Sequence, residues 1–198
     1  MSRHEQNDLT DLTDFLMEID ALKRVERRSY IGGGGRRENS AEHSWQLALA
    51  CWSISRRFNL EVSEEKLIKL ALVHDLGEID AGDTFLYARE RSNAHQAERR
   101  CLARLTAHAG NSIPELADLW EEQETGRSIE TRLLKVVDRL LPFLLNVKSE
   151  GRTWVELGIS RSQVLAAHAF IAEEFPQIHD WMLAQIDNAV ERGWLKPE

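Results

Sequence analysis

Apolar side chains recur three and four residues apart along nearly the whole chain of 198 residues, from Leu9, Leu12, Leu16 and Ile19 to Ile178, Trp181, Met182, Ile186, Ala189 and Val190. Residues so spaced share one face of a helix, so the pattern predicts amphipathic helices from end to end. No sustained strand-like alternation interrupts it. Ser40, Ser63 and Ser128 stand just ahead of helical runs as caps, Pro114 suits a first turn, and Ser160 with Gln163 spells a capping box. The glycines from Gly32 to Gly35 form a loop, since an unbroken glycine run loses too much backbone entropy in a helix. Pro142, inside the run Ile129–Lys148, predicts a kink or break near Val137 to Leu141. The expectation is an all-α chain of about seven or eight helices, forming one domain over residues 1–198.

Composition leaves that picture intact: 42% hydrophobic and 29% charged residues suit a globular protein and exclude a disordered or fibrous one. Charge narrows the partners. With 33 acidic against 25 basic residues and a net charge of -8, the surface repels a phosphate polymer, so nucleic acid is not an expected partner. A small phosphorylated ligand stays compatible, because a bound divalent cation can reverse the sign of an acidic cleft. Cys51 and Cys101 fall on helical runs and read as small buried apolar groups. Met1 to Leu12 carries no apolar leader-like segment, and no run of about 18 apolar residues occurs, so a cytoplasmic protein without a membrane partner is expected.

The candidate chemistry lies where titratable groups interrupt apolar faces. His74 shares a helical stripe with Leu67, Leu70 and Ala71 and therefore points inward. Beside it Asp75 begins a cluster, with Glu78, Asp80 and Asp83, of four acids within nine residues, which repels itself unless a cation is present. Asp138 shares a stripe with Leu134, Leu141 and Leu145, where an ionised carboxylate needs a partner; the adjacent Arg139 points elsewhere on the helix. His43 opens a helix whose apolar face is read as Trp45, Leu49 and Trp52. Two histidines and two aspartates suit one divalent ion from the set Mn²⁺, Co²⁺, Fe²⁺, Zn²⁺ or Ni²⁺, with Mg²⁺ less natural beside imidazoles.

His43, then the doublet His74-Asp75, then Asp138 resemble, in order and spacing, the H…HD…D signature of the HD superfamily of metal-dependent phosphohydrolases. The segment Glu38 to Ser44 resembles the first-histidine motif of its 5′-deoxynucleotidase branch, and His74 to Glu78 followed by Gly82-Asp83 resembles the second. Leu119 to Glu122 and Lys135 to Arg139 are similar to later segments of that branch. The likeness covers roughly residues 20–150, leaving 151–198 as C-terminal helices that complete the bundle.

This resemblance implies an HD-type helical domain with His43, His74, Asp75 and Asp138 as metal ligands. It assigns Glu78 and Asp83 to acid/base duty and water positioning. It assigns Arg27 to the substrate's phosphate, with Arg28 where that branch carries a tryptophan, and Thr84 to substrate binding. The implied reaction is hydrolysis of a small phosphomonoester, a (deoxy)nucleoside 5′-monophosphate in particular, to nucleoside and phosphate. Homodimers are common in the family, so a second copy of the chain is the protein partner expected. Two alternatives are a non-catalytic ligand-sensing HD module and a di-iron HD oxygenase, which needs further histidines such as His95 or His108.

Overall fold

A computed structural model describes residues 3–32, 34–87 and 92–198; Gly33 of the glycine run lies outside them. Helix α1 (Arg3–Asp20) passes through a 3-10 turn (Ala21–Arg24) into a short hairpin, β1 (Glu26–Tyr30) and β2 (Arg37–Asn39). Helices α2 (Ser40–Arg57), α3 (Glu64–Val73), α4 (Glu78–Ala81), α5 (Ser92–Thr106), α6 (Leu116–Thr125) and α7 (Ile129–Lys148) follow. The chain closes with α8 (Arg152–Leu157), α9 (Arg161–His168), α10 (Ile171–Glu174) and α11 (Pro176–Glu191). The architecture is all-α, as the periodicity predicts. Its helices outnumber the expected seven or eight because α4, α8 and α10 are single turns too short to show a period.

The hairpin corrects the expectation of helices and loops alone. β1 and β2 pair antiparallel, Glu26 opposite Asn39 and Tyr30 opposite Arg37, with the glycine run as their connection. Inward positions alternate, Arg27 and Ser29 on β1 and Glu38 on β2, but every one of them is polar. The alternation is therefore invisible to a search for apolar period two.

Helix caps fix the ends that matter for the site. Asn39, rather than Ser40, caps α2: its side chain accepts from the Glu42 N–H while the Glu42 carboxylate accepts from the Asn39 N–H. Ser63 caps α3, and Ser128 caps α7. Pro142 does not break α7, which runs unbroken from Ile129 to Lys148. Its missing N–H leaves the backbone carbonyl of Asp138 without the usual helical donor, but packing on both sides holds the axis.

That packing makes α7 the spine of the fold. Leu133, Leu134, Val137 and Leu141 join a core with Leu47 and Cys51 of α2, Leu67 and Leu70 of α3, and Cys101 and Leu105 of α5. Val136, Leu140 and Phe143 face a second cluster with Trp154, Val164, Ile171, Met182 and Ile186. Both cysteines are buried free thiols. The apolar face expected for α2 is on the wrong side: Trp45, Leu49 and Trp52 are 64%, 46% and 42% exposed, and His43, Leu47 and Cys51 are buried instead. No helix among the described residues is long and apolar enough to cross a membrane.

One polar tie fastens α7 to the start of α3. The buried Glu130 accepts a 2.8 Å hydrogen bond from the Ser63 N–H. Burial opposes its charge, yet that N–H and its neighbours hold the carboxyl below its ordinary value. Glu130→Ala is expected to lower stability by about 1.5–3 kcal/mol, read from the urea midpoint at neutral pH. Because the folded value is depressed, the contribution is complete above the unfolded value of 4.5 and is lost as pH falls through the carboxylate range. A variant with an unchanged midpoint at pH 7 would remove the tie from the account.

Candidate metal centre and active site

The helix α3 ends at the residue the chemistry needs. His74 is its C-cap, its N–H bonded to Leu70 O at 3.1 Å, and the chain then turns through Gly77 into α4. Gly77 is required there: a Cβ would meet the Cβ of Glu98 on α5 at 2.6 Å. On the other side the Trp120 indole N–H donates to His74 O at 3.1 Å, clamping the turn against α6.

The His74 ring is oriented by its Nδ1, 2.8 Å from Ala71 O. A carbonyl can only accept, so Nδ1 carries a proton and, in the neutral ring, Nε2 is a bare lone pair. That Nε2 is buried without a hydrogen-bond partner, although Asp75 Oδ1 stands 3.1 Å away and Asp138 Oδ1 4.0 Å away. His43, wholly buried, sets its Nε2 3.0 Å from Asp138 Oδ1 and its Nδ1, also unpartnered, 3.6 Å from Glu38 Oε2. Ligand-capable atoms of His43, His74 and Asp75 all lie within 4.8 Å of one another, the group of three that could hold a metal among the described residues.

Lone pairs aimed at carboxylate oxygens repel unless a positive charge stands between them. In its absence the field falls on protons. Burial alone would lower the His74 imidazole, but Asp75 and Asp138 outweigh it and push the ring up to about 9. The reciprocal effect takes Asp75 down to about 2 against its own burial, with His74 and Arg27 responsible. Asp138 is likewise held far below the carboxylate range, burial being overcome by His43 and the Arg139 charge. Ligands about 2.1 Å from one octahedral ion stand roughly 3.0 Å apart when adjacent and roughly 4.2 Å when opposite. The 3.0, 3.1 and 4.0 Å separations found here fall in that range. The residues fit a divalent cation, and each histidine presents its other nitrogen to an oxygen, the arrangement that orients metal ligands.

Around this centre lies a cavity of about 440 Å³ lined by Arg27, His74, Asp75, Glu78, Asp83, Thr84, Ala94, His95, Glu98, Gln123, Glu124, Asp138 and Arg139. Every predicted site residue except the enclosed His43 is in that lining, and His43 reaches it through Asp138. Glu78 Oε2 accepts from Ser40 Oγ at 2.5 Å. Burial and then the charge of Asp75 push the Glu78 carboxyl up to about 9, and burial also raises Asp83.

Arg27 is more deeply committed than a surface fork. Its Nη1 donates to Asp75 Oδ2 at 2.8 Å and lies 3.7 Å from Asp83 and 3.9 Å from Glu78, while Nε lies 3.5 Å from Glu38. Burial works against its charge, but the surrounding carboxylates raise the guanidinium above its ordinary value. Arg28, its sequence neighbour, is exposed and turned the other way along the strand.

Sequence reasoning missed several of these groups. From sequence, Glu38 reads only as a letter of a motif, and Ser40 as a motif letter and a helix cap. Arg139 does not point elsewhere but lines the cavity, its Nη1 3.6 Å from Asp138 Oδ2. Glu124 belongs to the cavity wall as well. His95 also lines the wall, stacked on Trp120, but Nδ1 is 3.1 Å from Glu124 Oε2 and Nε2 accepts from Arg99 at 2.9 Å, so both ring nitrogens are engaged. His108 packs on Phe15 and accepts from the Gly110 N–H, outside the cavity lining.

A sequence model of the HD domain matches residues 19–179. The chain is 28% identical over 135 residues to the 5′-deoxynucleotidase HDDC2 of Danio rerio, covering 67% of this chain and 66% of that protein. It is 28% identical over 131 residues to the human 5′-deoxynucleotidase HDDC2, covering 65% and 63%. The matches thus span just under two thirds of those relatives' own length. Among solved structures, a predicted metal-dependent phosphohydrolase from Magnetospirillum magnetotacticum MS-1 superposes over 100% of both chains with a TM-score of 0.85 and 32% identity. A conserved hypothetical protein from Pyrococcus furiosus shares the fold at a TM-score of 0.62 and 24% identity, covering 87% of this chain and 99% of that one. With the HD model matched along most of its length, this chain belongs to the HD domain family.

Proposed function

We propose that the chain is a metal-dependent phosphohydrolase that splits a small phosphomonoester, a deoxynucleoside 5′-monophosphate above all, into nucleoside and inorganic phosphate. The observation that carries the reading is the convergence of His43 Nε2 and the buried, unpartnered His74 Nε2 with Asp75 and Asp138 at the cavity. The likeness to a predicted metal-dependent phosphohydrolase supports the chemistry, and the likeness to 5′-deoxynucleotidases supports the substrate class.

In this proposal His43, His74, Asp75 and Asp138 hold one divalent cation, which when bound polarises a phosphoryl oxygen and acidifies water. Glu38 orients His43 through Nδ1 and the Ala71 carbonyl orients His74. Glu78 is the acid: Ser40 donates to its Oε2, leaving Oε1 to carry a proton to the departing sugar oxygen. Asp83, 3.7 Å from Arg27, positions the attacking water, and Thr84 beside it contacts the substrate. The substrate phosphate lies against Arg27 and Arg139, the guanidinium groups of the lining.

Arg27 therefore serves twice, since the Asp75 oxygen it holds belongs to a ligand. Arg27→Ala is expected to weaken Co²⁺ binding about 10- to 100-fold, as for other partners that orient a metal ligand, besides raising KM. Titration of the chelator-stripped variant by calorimetry checks it, and wild-type affinity would confine Arg27 to the substrate. The function as a whole is tested by a phosphate-release screen over mononucleotides and sugar phosphates with several divalent metals, His74→Ala as control. Release from deoxynucleoside monophosphates that vanishes in the control is expected. Equal release in wild type and control, or none with any metal, would sink the proposal.

A further inference from the structure

Beside the main cavity lies a smaller one of about 50 Å³, and the two share Arg27, Asp83, Thr84 and Arg139 as walls. Its remaining walls come from Arg28 and Ser29 of β1, the stretch after Asp83, and α7, α8 and α9, and they carry aromatic rings and one imidazole: Phe85, Tyr87, Phe143 and His168. The space admits a few waters or the edge of one ring, too little for a separate ligand. Whatever enters it is attached to what occupies the larger cavity.

The chemistry of the small cavity rests on His168. The residue is 2% exposed, stands edge-on to Phe143 at 5.6 Å and has Nδ1 2.7 Å from Val164 O. The carbonyl can only accept, so Nδ1 bears the hydrogen; burial lowers the imidazole below its ordinary value, keeping the ring neutral. Nε2 is then a buried acceptor; the Arg139 backbone approaches the ring, but no hydrogen-bond partner of Nε2 is found among the described residues. Leaving such an acceptor unmatched is costly, so a ligand that supplies a donor gains what the free protein lacks. Two other polar groups of the wall are already spent: Asn146 donates to Pro142 O and accepts from the Trp154 N–H, and Thr153 donates to Arg28 O.

We propose that this small cavity receives the edge of a flat, donor-bearing heteroaromatic ring on the leaving group, with His168 Nε2 accepting from the ring donor and Arg139 standing at the entrance between ring and phosphate. Phe85, Tyr87 and Phe143 supply apolar surface for the ring face. The inference rests on the phosphomonoesterase reading and extends it, making His168 a residue that selects the substrate rather than one that acts on phosphate.

The test compares kcat/KM for deoxyadenosine 5′-monophosphate, for the analogue whose purine lacks the amino group, and for ringless glycerol phosphate. His168→Leu should cut the preference for the adenine substrate over glycerol phosphate about 10- to 100-fold, chiefly through KM, and should erase the preference for the amino group. His168→Gln, which keeps an acceptor, should restore part of both. Thermal unfolding of each variant reports whether it is folded, and loss of discrimination rescued by Gln is not a folding defect. Folded variants with wild-type ratios would overturn the proposal. Should no monoester be hydrolysed, the phosphohydrolase reading fails instead, and calorimetric titration with deoxyadenosine still decides the pocket: binding lost in His168→Leu upholds it, and no binding to wild type overturns it.

Discussion

Asp138→Ala is expected to abolish phosphate release while leaving the far-UV helical signal nearly unchanged. The side chain sits 3.0 Å from one candidate ligand nitrogen and 4.0 Å from the other, so its removal opens the metal centre directly. The loss should exceed the 10- to 100-fold typical of deleting a group that merely orients a ligand. Helicity should survive because α7 is fixed by Leu133, Leu134, Val136, Val137 and Phe143 on its two buried faces, none of which depends on the carboxylate. Activity near wild type at limiting metal would take Asp138 out of the site. Unfolding of the variant would mean that the cation is structural.

Glu78→Gln should give the second large effect, a fall in kcat of about 10²- to 10⁴-fold with metal occupancy unchanged, the usual scale for removing a general acid or base. The substitution preserves shape and can keep the bond from Ser40, so what it deletes is the exchangeable proton. Its environment is arranged to retain that proton: burial and the adjacent Asp75 raise the carboxyl to about 9, whereas Arg27 at 3.9 Å only partly offsets them. Steady-state kinetics on metal-loaded protein checks the expectation. A kcat within a few-fold of wild type would assign the proton to another group, of which Asp83 is the nearest candidate.

How far the site can be read from sequence depends on the kind of regularity each residue obeys. His74 and Asp138 are legible because they interrupt apolar helical stripes, where a polar group demands an explanation, and the structure places both at the cavity floor. The ends of α3 and α7 are legible through Ser63 and Ser128, since capping is a local interaction. The hairpin is not, because Arg27, Ser29 and Glu38 turn inward toward a polar site and leave no apolar alternation to detect. The apolar stripe of α2 misleads for the opposite reason: Trp45, Leu49 and Trp52 keep helical spacing on the exposed face. Arg139, next to Asp138 in sequence, is expected to point elsewhere on the helix, yet its long side chain reaches the same cavity. The small cavity was beyond sequence altogether, since it needs α7, α8 and α9 brought against β1.

The claim on which the rest depends is that the imidazoles of His43 and His74 and the carboxylates of Asp75 and Asp138 share a divalent cation. Elemental analysis of protein purified without chelator, repeated after dialysis against Mn²⁺ or Co²⁺, measures it directly. About one first-row divalent ion per chain is expected, lost on His74→Ala. Wild-type protein that carries no metal and takes up neither ion would contradict the account.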